Sequence, residues 1–143
     1  MTDPSNEHRF NEEEFALILR RAVELDSGPE AEFALVFTSG IRPFAGDNAS
    51  GPTEQFVQNY GTRVHHLAFR AEEIAATCDA LGEDGMAFLC KLVGTRERGI
   101  QQIFSTPSAN TLVVNEYIQR YGDFDGFFDE NNVTRLTHAT GKQ

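Results

Sequence analysis

The 143-residue sequence has no tryptophan, only two cysteines and few basic residues. Two cysteines are too few for a disulfide framework, which favours reduced thiols in the cytoplasm. Nothing approaches the roughly 18 consecutive apolar residues of a membrane span, and the polar N-terminus is not typical of a signal peptide.

Lys and Arg number 12 against 22 Asp and Glu, a formal net charge of −10. This balance argues against nucleic-acid or anionic-membrane partners, since both need a basic face.

Phenylalanine, in contrast, is abundant: there are 12, and 40% of the sequence is hydrophobic. That composition is typical of a globular chain, and the length suits one domain with a sizeable core. The cysteines and histidines do not have the spacing of zinc sites. A phosphate-binding glycine–lysine loop and a nucleophilic serine elbow are also missing from the sequence. The absence of these motifs argues against the commonest zinc-hydrolase, nucleotide-binding and serine-hydrolase chemistries.

The second half of the sequence predicts the element order β-α-β-β-β. Alternating or apolar runs predict strands over residues 63–70, 86–93, 99–105 and 111–121. Helical spacing of apolar residues predicts a helix over 71–81, with Gly82 as its stop signal. A short helix is predicted over 133–139.

The first half of the sequence is less clear. Residues 1–14 form a polar leader, and a turn signal at 26–29 separates the apolar stretches 15–25 and 31–37. Stretch 15–25 has the start and stop signals of a helix, yet its apolar residues alternate as in a strand. These local signals, taken alone, favour the helix. A short helix is predicted to begin near residue 52.

Three polar side chains, His66, Gln102 and Glu116, interrupt apolar strand faces. Residues two apart on a strand share a face. Their apolar neighbours by this rule are Val64, Ala68, Ile100, Phe104, Leu112, Val114 and Ile118. The same rule places His65 on the face opposite His66. A buried carboxylate needs a compensating proton, arginine or metal ion.

These side chains also have ordinary explanations. Glu116 alone fits a half-exposed row on an edge strand, and His66 alone fits a hydrogen-bonded core histidine. The coincidence of an imidazole and a carboxylate on apolar faces of one β-α-β-β-β unit favours a further interpretation. Two histidines and one carboxylate are the ligands of non-heme Fe(II) oxygenase sites. The third ligand is not identified by this reasoning.

Several segments resemble the 4-hydroxyphenylpyruvate dioxygenase family, in the family's order. They are Val64–Phe69, Asp84–Leu89, Gln102–Pro107, Asn115–Arg120 and Gly126–Phe127. The resemblance covers roughly residues 60–130 and extends weakly over 15–60. It implies the α+β vicinal-oxygen-chelate fold, built of βαβββ modules, with the first module incomplete. Residues 15–143 would then be a single domain.

The resemblance also divides that domain. Residues 15–60 would be the remnant of a first module, 61–121 a βαβββ module and 122–143 a C-terminal tail with a helix. Residues 15–25 and 31–39 would then pair as a hairpin, which favours the strand alternative.

The resemblance implies a function as well. The family oxidises an aromatic 2-oxo acid in tyrosine catabolism, using Fe(II) held by two histidines and a glutamate. His66 corresponds to the second histidine and Glu116 to the glutamate. Gln102, Phe104 and Phe127 correspond to positions around the aromatic substrate. We therefore expect Fe(II), or another divalent metal, and a small 2-oxo acid as ligands.

The first iron histidine of the family has no convincing counterpart. His8 is the only histidine upstream of the His65–His66 pair and is an unlikely third ligand by its position. The alternative function is a non-catalytic or partner-dependent chelate-fold binding module that lacks this ligand. A homo-oligomer, such as a dimer, or a separate N-terminal partner segment would then complete it. A third alternative is an isomerase or lyase using a different divalent metal, because one fold supports several chemistries.

Overall fold

The computed structural model describes residues 22–23, 35–40, 42–46, 49–126 and 129–140. The chain divides into two compact units, residues 1–61 and 62–143. None of the described helices is long and apolar enough to cross a membrane.

In the first unit, strand β1 (Ala22–Val23) pairs antiparallel with β2 (Leu35–Val36). This pairing agrees with the hairpin alternative and contradicts the helix that local signals favour at these positions, because pairing with a distant segment overrides local preference. The rest of 15–25 lies outside the described residues. Helix α1 (Pro52–Tyr60) follows, close to its predicted start. Its first position is a proline, which suits a helix start because the missing N–H would have no helical acceptor there.

The second unit contains one four-stranded sheet and two helices. In chain order they are β3 (His66–Arg70), α2 (Ile74–Glu83), β4 (Val93–Thr95), β5 (Ile100–Phe104), β6 (Val114–Arg120) and α3 (Glu130–Thr140). The strand order in the sheet is β3-β6-β5-β4. Strand β3 runs parallel to β6, and the other neighbours are antiparallel. The predicted α+β architecture and β-α-β-β-β order are confirmed.

Each face of this sheet is packed by one helix. On one face Ala71, Ile74 and Ile103 form a buried cluster beneath α2. On the other face Val93, Phe104, Val114 and Leu136 form a second cluster, to which α3 contributes the leucine. Burial of these apolar side chains is the main favourable term that holds the helices to the sheet.

The predicted strand over 86–93 is wrong for most of its length. The segment makes one isolated bridge, Phe88 to Ser105, and strand pairing begins only at Val93. Its apolar side chains divide between the two clusters. Phe88 and Leu92 pack with the α2 cluster, whereas Leu89 and Cys90 pack with the α3 cluster. The apolar run is therefore explained by contacts with both clusters, and regular pairing is not required.

Candidate metal site

The register of three strands brings the predicted polar residues to one face. In the β3–β6 pair, His66 lies opposite Val114 and Ala68 opposite Glu116. In the β5–β6 pair, Phe104 lies opposite Glu116. Because side chains directly opposite each other share a face, His66, Glu116 and Phe104 converge there.

His66 and Glu116 are in direct contact. The imidazole Nε2 lies 3.2 Å from the carboxylate Oε2. The Glu116 side chain is only 2% exposed, while that of His66 is 34% exposed. Strand β6 lies between β3 and β5, so the edge-strand explanation for Glu116 does not apply. His66 belongs to the end strand of the sheet and keeps one side open to solvent.

A chain of buried amides fixes the other oxygen of the carboxylate. Gln102 Nε2 donates to Glu116 Oε1 at 2.7 Å, and Asn132 Nδ2 donates to Gln102 Oε1 at 2.9 Å. Gln102 is fully buried and Asn132 is 2% exposed. Asp129 Oδ1 accepts from the Asn132 backbone N–H at 3.2 Å, near the start of α3. With Oε1 satisfied, Oε2 is the oxygen that faces His66.

A close backbone approach lets α3 reach this network. Gly94 has a φ of 83°, and a Cβ there would lie 2.1 Å from the Ile100 carbonyl oxygen and 2.6 Å from Asn132 Nδ2. Any larger residue would collide with the amide that supports Gln102, and positive φ disfavours it further. Glycine at this position therefore allows Asn132 to reach the sheet.

Asn132 was missed by the sequence reasoning. The predicted helix started at residue 133, one position too late to include it. A signal existed, because Asn132 and Leu136 are four residues apart and share one helix face. Both are buried. A polar residue that shares a helix face with apolar residues can be selected as a candidate, just as Glu116 was selected on an apolar strand face.

His65 also belongs to the site. Its Nδ1 lies 2.9 Å from His66 Nδ1, and its ring centroid lies 6.4 Å from that of Phe104. The prediction that it occupies the opposite face is wrong, because β3 begins only at His66 and alternation does not extend to the preceding residue. Burial, and then the charge of His66, lower the pKa of His65 to about 4. His65 is therefore neutral at pH 7.

The contact between the two rings constrains the His66 tautomer. One Nδ1 must carry a hydrogen and donate the hydrogen bond, and the other must accept it. A His66 that offers the Nε2 lone pair to a metal carries its hydrogen on Nδ1, and His65 Nδ1 can accept the hydrogen bond from it. Hydrogen bonding of the second ring nitrogen is how metal-binding histidines are usually oriented.

The structure places two of the three predicted substrate-contacting residues in the site. Phe104 is 6% exposed, and its ring centroid lies 5.2 Å from that of His66, so it forms an apolar wall beside the pair. Gln102 contacts Glu116 directly, with its amide engaged on both sides. Phe127 and His8 lie outside the described residues.

The donor geometry fits a metal ion. Two donor atoms bound at about 2.1 Å and at right angles to each other lie roughly 3 Å apart. The separation of His66 Nε2 and Glu116 Oε2, 3.2 Å, is close to this value. Over the part of the chain that the structure describes, no group of three or more His, Cys, Asp or Glu residues could hold a metal ion. The described residues thus bring together two possible metal donors, His66 and Glu116.

Comparison with solved structures gives two informative matches. A triple mutant of 4-hydroxymandelate synthase from Streptomyces coelicolor aligns with 66% of this chain at 25% sequence identity and a TM-score of 0.56. The alignment covers 34% of that chain, so the present chain spans about a third of its length. A hypothetical protein from Bacillus halodurans C-125 aligns with 52% of this chain and 54% of its own, at 24% identity and a TM-score of 0.44.

No family model and no curated protein match the sequence. The match to 4-hydroxymandelate synthase supports the vicinal-oxygen-chelate superfamily and confirms the predicted fold class.

Proposed function

We propose that this chain is a non-heme Fe(II)-dependent dioxygenase, or part of one, that oxidises an aromatic 2-oxo acid as 4-hydroxyphenylpyruvate dioxygenase does. One observation carries the proposal: the carboxylate of Glu116 is buried on an apolar sheet face and lies 3.2 Å from His66 Nε2. The likeness to 4-hydroxymandelate synthase supports the same general chemistry, since that enzyme's product also carries a 4-hydroxyphenyl ring.

The residues of the site have distinct roles in this proposal. His66 and Glu116 would bind Fe(II) or another divalent ion. The bound ion would supply a template for the 2-oxo acid and a means of activating O2. Gln102 holds the Glu116 carboxylate in one orientation, and its predicted contact with substrate would add to that role. Phe104 excludes water beside His66, and Phe127 is predicted to contact the aromatic ring.

The small number of possible metal ligands among the described residues favours a second function. Since the described residues provide two ligands, a third must come from the remaining residues, a preceding segment or another copy of the chain. A partner-dependent binding module, completed by a homo-oligomer or an N-terminal partner segment, has this property. Such a module would bind metal and a 2-oxo acid without consuming O2.

Oxygen consumption separates the two functions. We expect the purified chain, loaded anaerobically with Fe(II), to consume O2 when 4-hydroxyphenylpyruvate is added and to release CO2 in equal amount. Omission of Fe(II), or replacement of the substrate by pyruvate, which lacks the ring, should abolish the uptake. An oxygen electrode and a CO2 assay give both quantities.

Two other outcomes have clear meanings. Metal and 2-oxo acid binding without O2 uptake would favour the binding module. Uptake that does not depend on Fe(II) would contradict the proposed chemistry.

A further inference from the structure

A second polar feature lies at the far end of the β3 and β6 strands. It is a pocket of about 300 Å³ whose lining includes Arg70, Glu72, Gln119, Arg120 and Phe124. None of these residues was selected as a candidate from the sequence. Two arginine side chains line this pocket, in a chain whose net charge is −10.

Both arginines project from the sheet face that carries the candidate metal site. Arg120 is four residues beyond Glu116 on β6, so the two side chains share a face. Arg70 pairs with Ile118, which lies between them on the same face. At about 3.3 Å per residue, the Cα of Arg120 is about 13 Å from that of Glu116. Arginine side chains can reach part of the way back along the face.

Among the described residues, each of these two arginine side chains has one hydrogen-bond or ion-pair partner. Arg120 Nε donates to the Gly126 carbonyl oxygen at 3.1 Å, and within the described residues its two terminal nitrogens have no partner. Arg70 Nε lies 3.3 Å from Glu72 Oε1, but these side chains are 81% and 82% exposed. An ion pair so exposed contributes little and can be displaced.

Arg120 interacts electrostatically with both Glu116 and Arg70. Burial lowers the pKa of Arg120, the charge of Glu116 raises it, and the charge of Arg70 lowers it. Arginine nevertheless stays protonated at neutral pH. An anion in the pocket would supply an acceptor for the two terminal nitrogens of Arg120 and would offset the repulsion from Arg70.

We propose that Arg70 and Arg120 form an oxyanion-binding subsite for a carboxylate, phosphate or sulfate group. Guanidinium groups bind such anions through paired N–H···O hydrogen bonds. The anion is assigned to the distal end of the ligand whose 2-oxo acid end lies at His66 and Glu116. This last assignment rests on the proposed function, whereas the anion subsite itself does not.

Phosphate titration of the metal-free protein tests the subsite directly. Inorganic phosphate is added while the arginine Nε–H signals are followed by NMR. We expect Arg70→Gln and Arg120→Gln to weaken phosphate binding at least about tenfold, because each removes a charge-assisted contact. Glu72→Gln should strengthen binding, since it removes the competing carboxylate.

Arg135→Gln is the matched control, because it removes the same charge from an exposed position on α3. We expect it to change phosphate affinity less than about twofold. Thermal melts establish that each variant is folded. The subsite is disproved if Arg120→Gln binds phosphate as the wild type does, or if Arg135→Gln weakens binding as much.

A second titration identifies the source of the anion. In the presence of Mn(II), 4-carboxyphenylpyruvate is compared calorimetrically with phenylpyruvate, which has the same ring without the distal carboxylate. We expect the wild type to prefer 4-carboxyphenylpyruvate and Arg120→Gln to lose that preference. If the wild type binds both 2-oxo acids equally and still binds phosphate, the anion does not belong to the 2-oxo acid. The subsite would then bind a separate free anion. Failure of Mn(II) to bind would count against the proposed function and leave the phosphate result standing.

Discussion

Replacement of Glu116 by glutamine is expected to abolish tight Fe(II) binding and to leave the fold intact. Glutamine has nearly the same shape, and its amide oxygen can still accept the hydrogen bond from Gln102. The glutamine NH2 group would then take the place of Glu116 Oε2, the oxygen that lies 3.2 Å from His66 Nε2. Mutation of a residue that only hydrogen-bonds a metal ligand typically lowers metal affinity roughly 10–100-fold. Loss of a charged ligand itself should have a larger effect, so we expect Glu116→Gln to bind Fe(II) at least about 100-fold more weakly.

Anaerobic titration calorimetry with Fe(II) measures this difference. Glu83→Gln is the matched control, because it removes a carboxylate from an exposed position at the end of α2. We expect the control to bind as the wild type does. Equal Fe(II) affinity of Glu116→Gln and the wild type would remove Glu116 from the metal site. Circular dichroism on all three proteins separates lost binding from lost structure.

Replacement of Gln102 by leucine is expected to lower the free energy of unfolding by about 4 kcal/mol. Leucine fills a similar volume, so the cavity term is small and the lost hydrogen bonds dominate. The substitution leaves Glu116 Oε1 and Asn132 Nδ2 without their partners. Both groups are buried, and a buried carboxylate that loses a donor costs more than a neutral group does.

Urea denaturation provides the measurement for Gln102→Leu. Gln101→Leu is the control, since Gln101 is on the opposite face, is only half-buried and accepts a hydrogen bond from the Tyr121 hydroxyl at 2.5 Å. We expect that control to lose about 1 kcal/mol, the net value of one ordinary hydrogen bond. Similar losses for the two variants would show that the buried amide chain has no special role in stability.

Much of the second unit could be predicted from the sequence because its strands alternate regularly. In β6 the residues at 114, 116 and 118 are buried and those between them are half-buried, as alternation requires. The same rule placed His66, Gln102 and Glu116 each on an apolar face of its own strand before the order of the strands was known. Packing added what alternation cannot give: the 3.2 Å contact between His66 and Glu116 and the position of β6 inside the sheet.

Other features depend on contacts between segments distant in sequence. Residues 86–93 read as a strand because they are apolar, yet their side chains divide between two clusters. Asn132 joins the site through Gln102, which is 30 residues away in the sequence. Arg70 and Arg120 are 50 positions apart and line one pocket only because β3 and β6 are parallel neighbours. No local pattern marks such pairs.

Pulsed electron paramagnetic resonance of the Mn(II)-loaded protein, labelled with ¹⁵N-histidine, tests most directly whether His66 binds a metal. We expect nitrogen coupling to Mn(II) in the wild type, and one coupled nitrogen fewer in His66→Ala under conditions where that variant is loaded with excess Mn(II). His138→Ala, which removes an exposed histidine on α3, should retain the full coupling. Undiminished coupling in His66→Ala, or no histidine coupling in the wild type, would contradict metal binding by this pair.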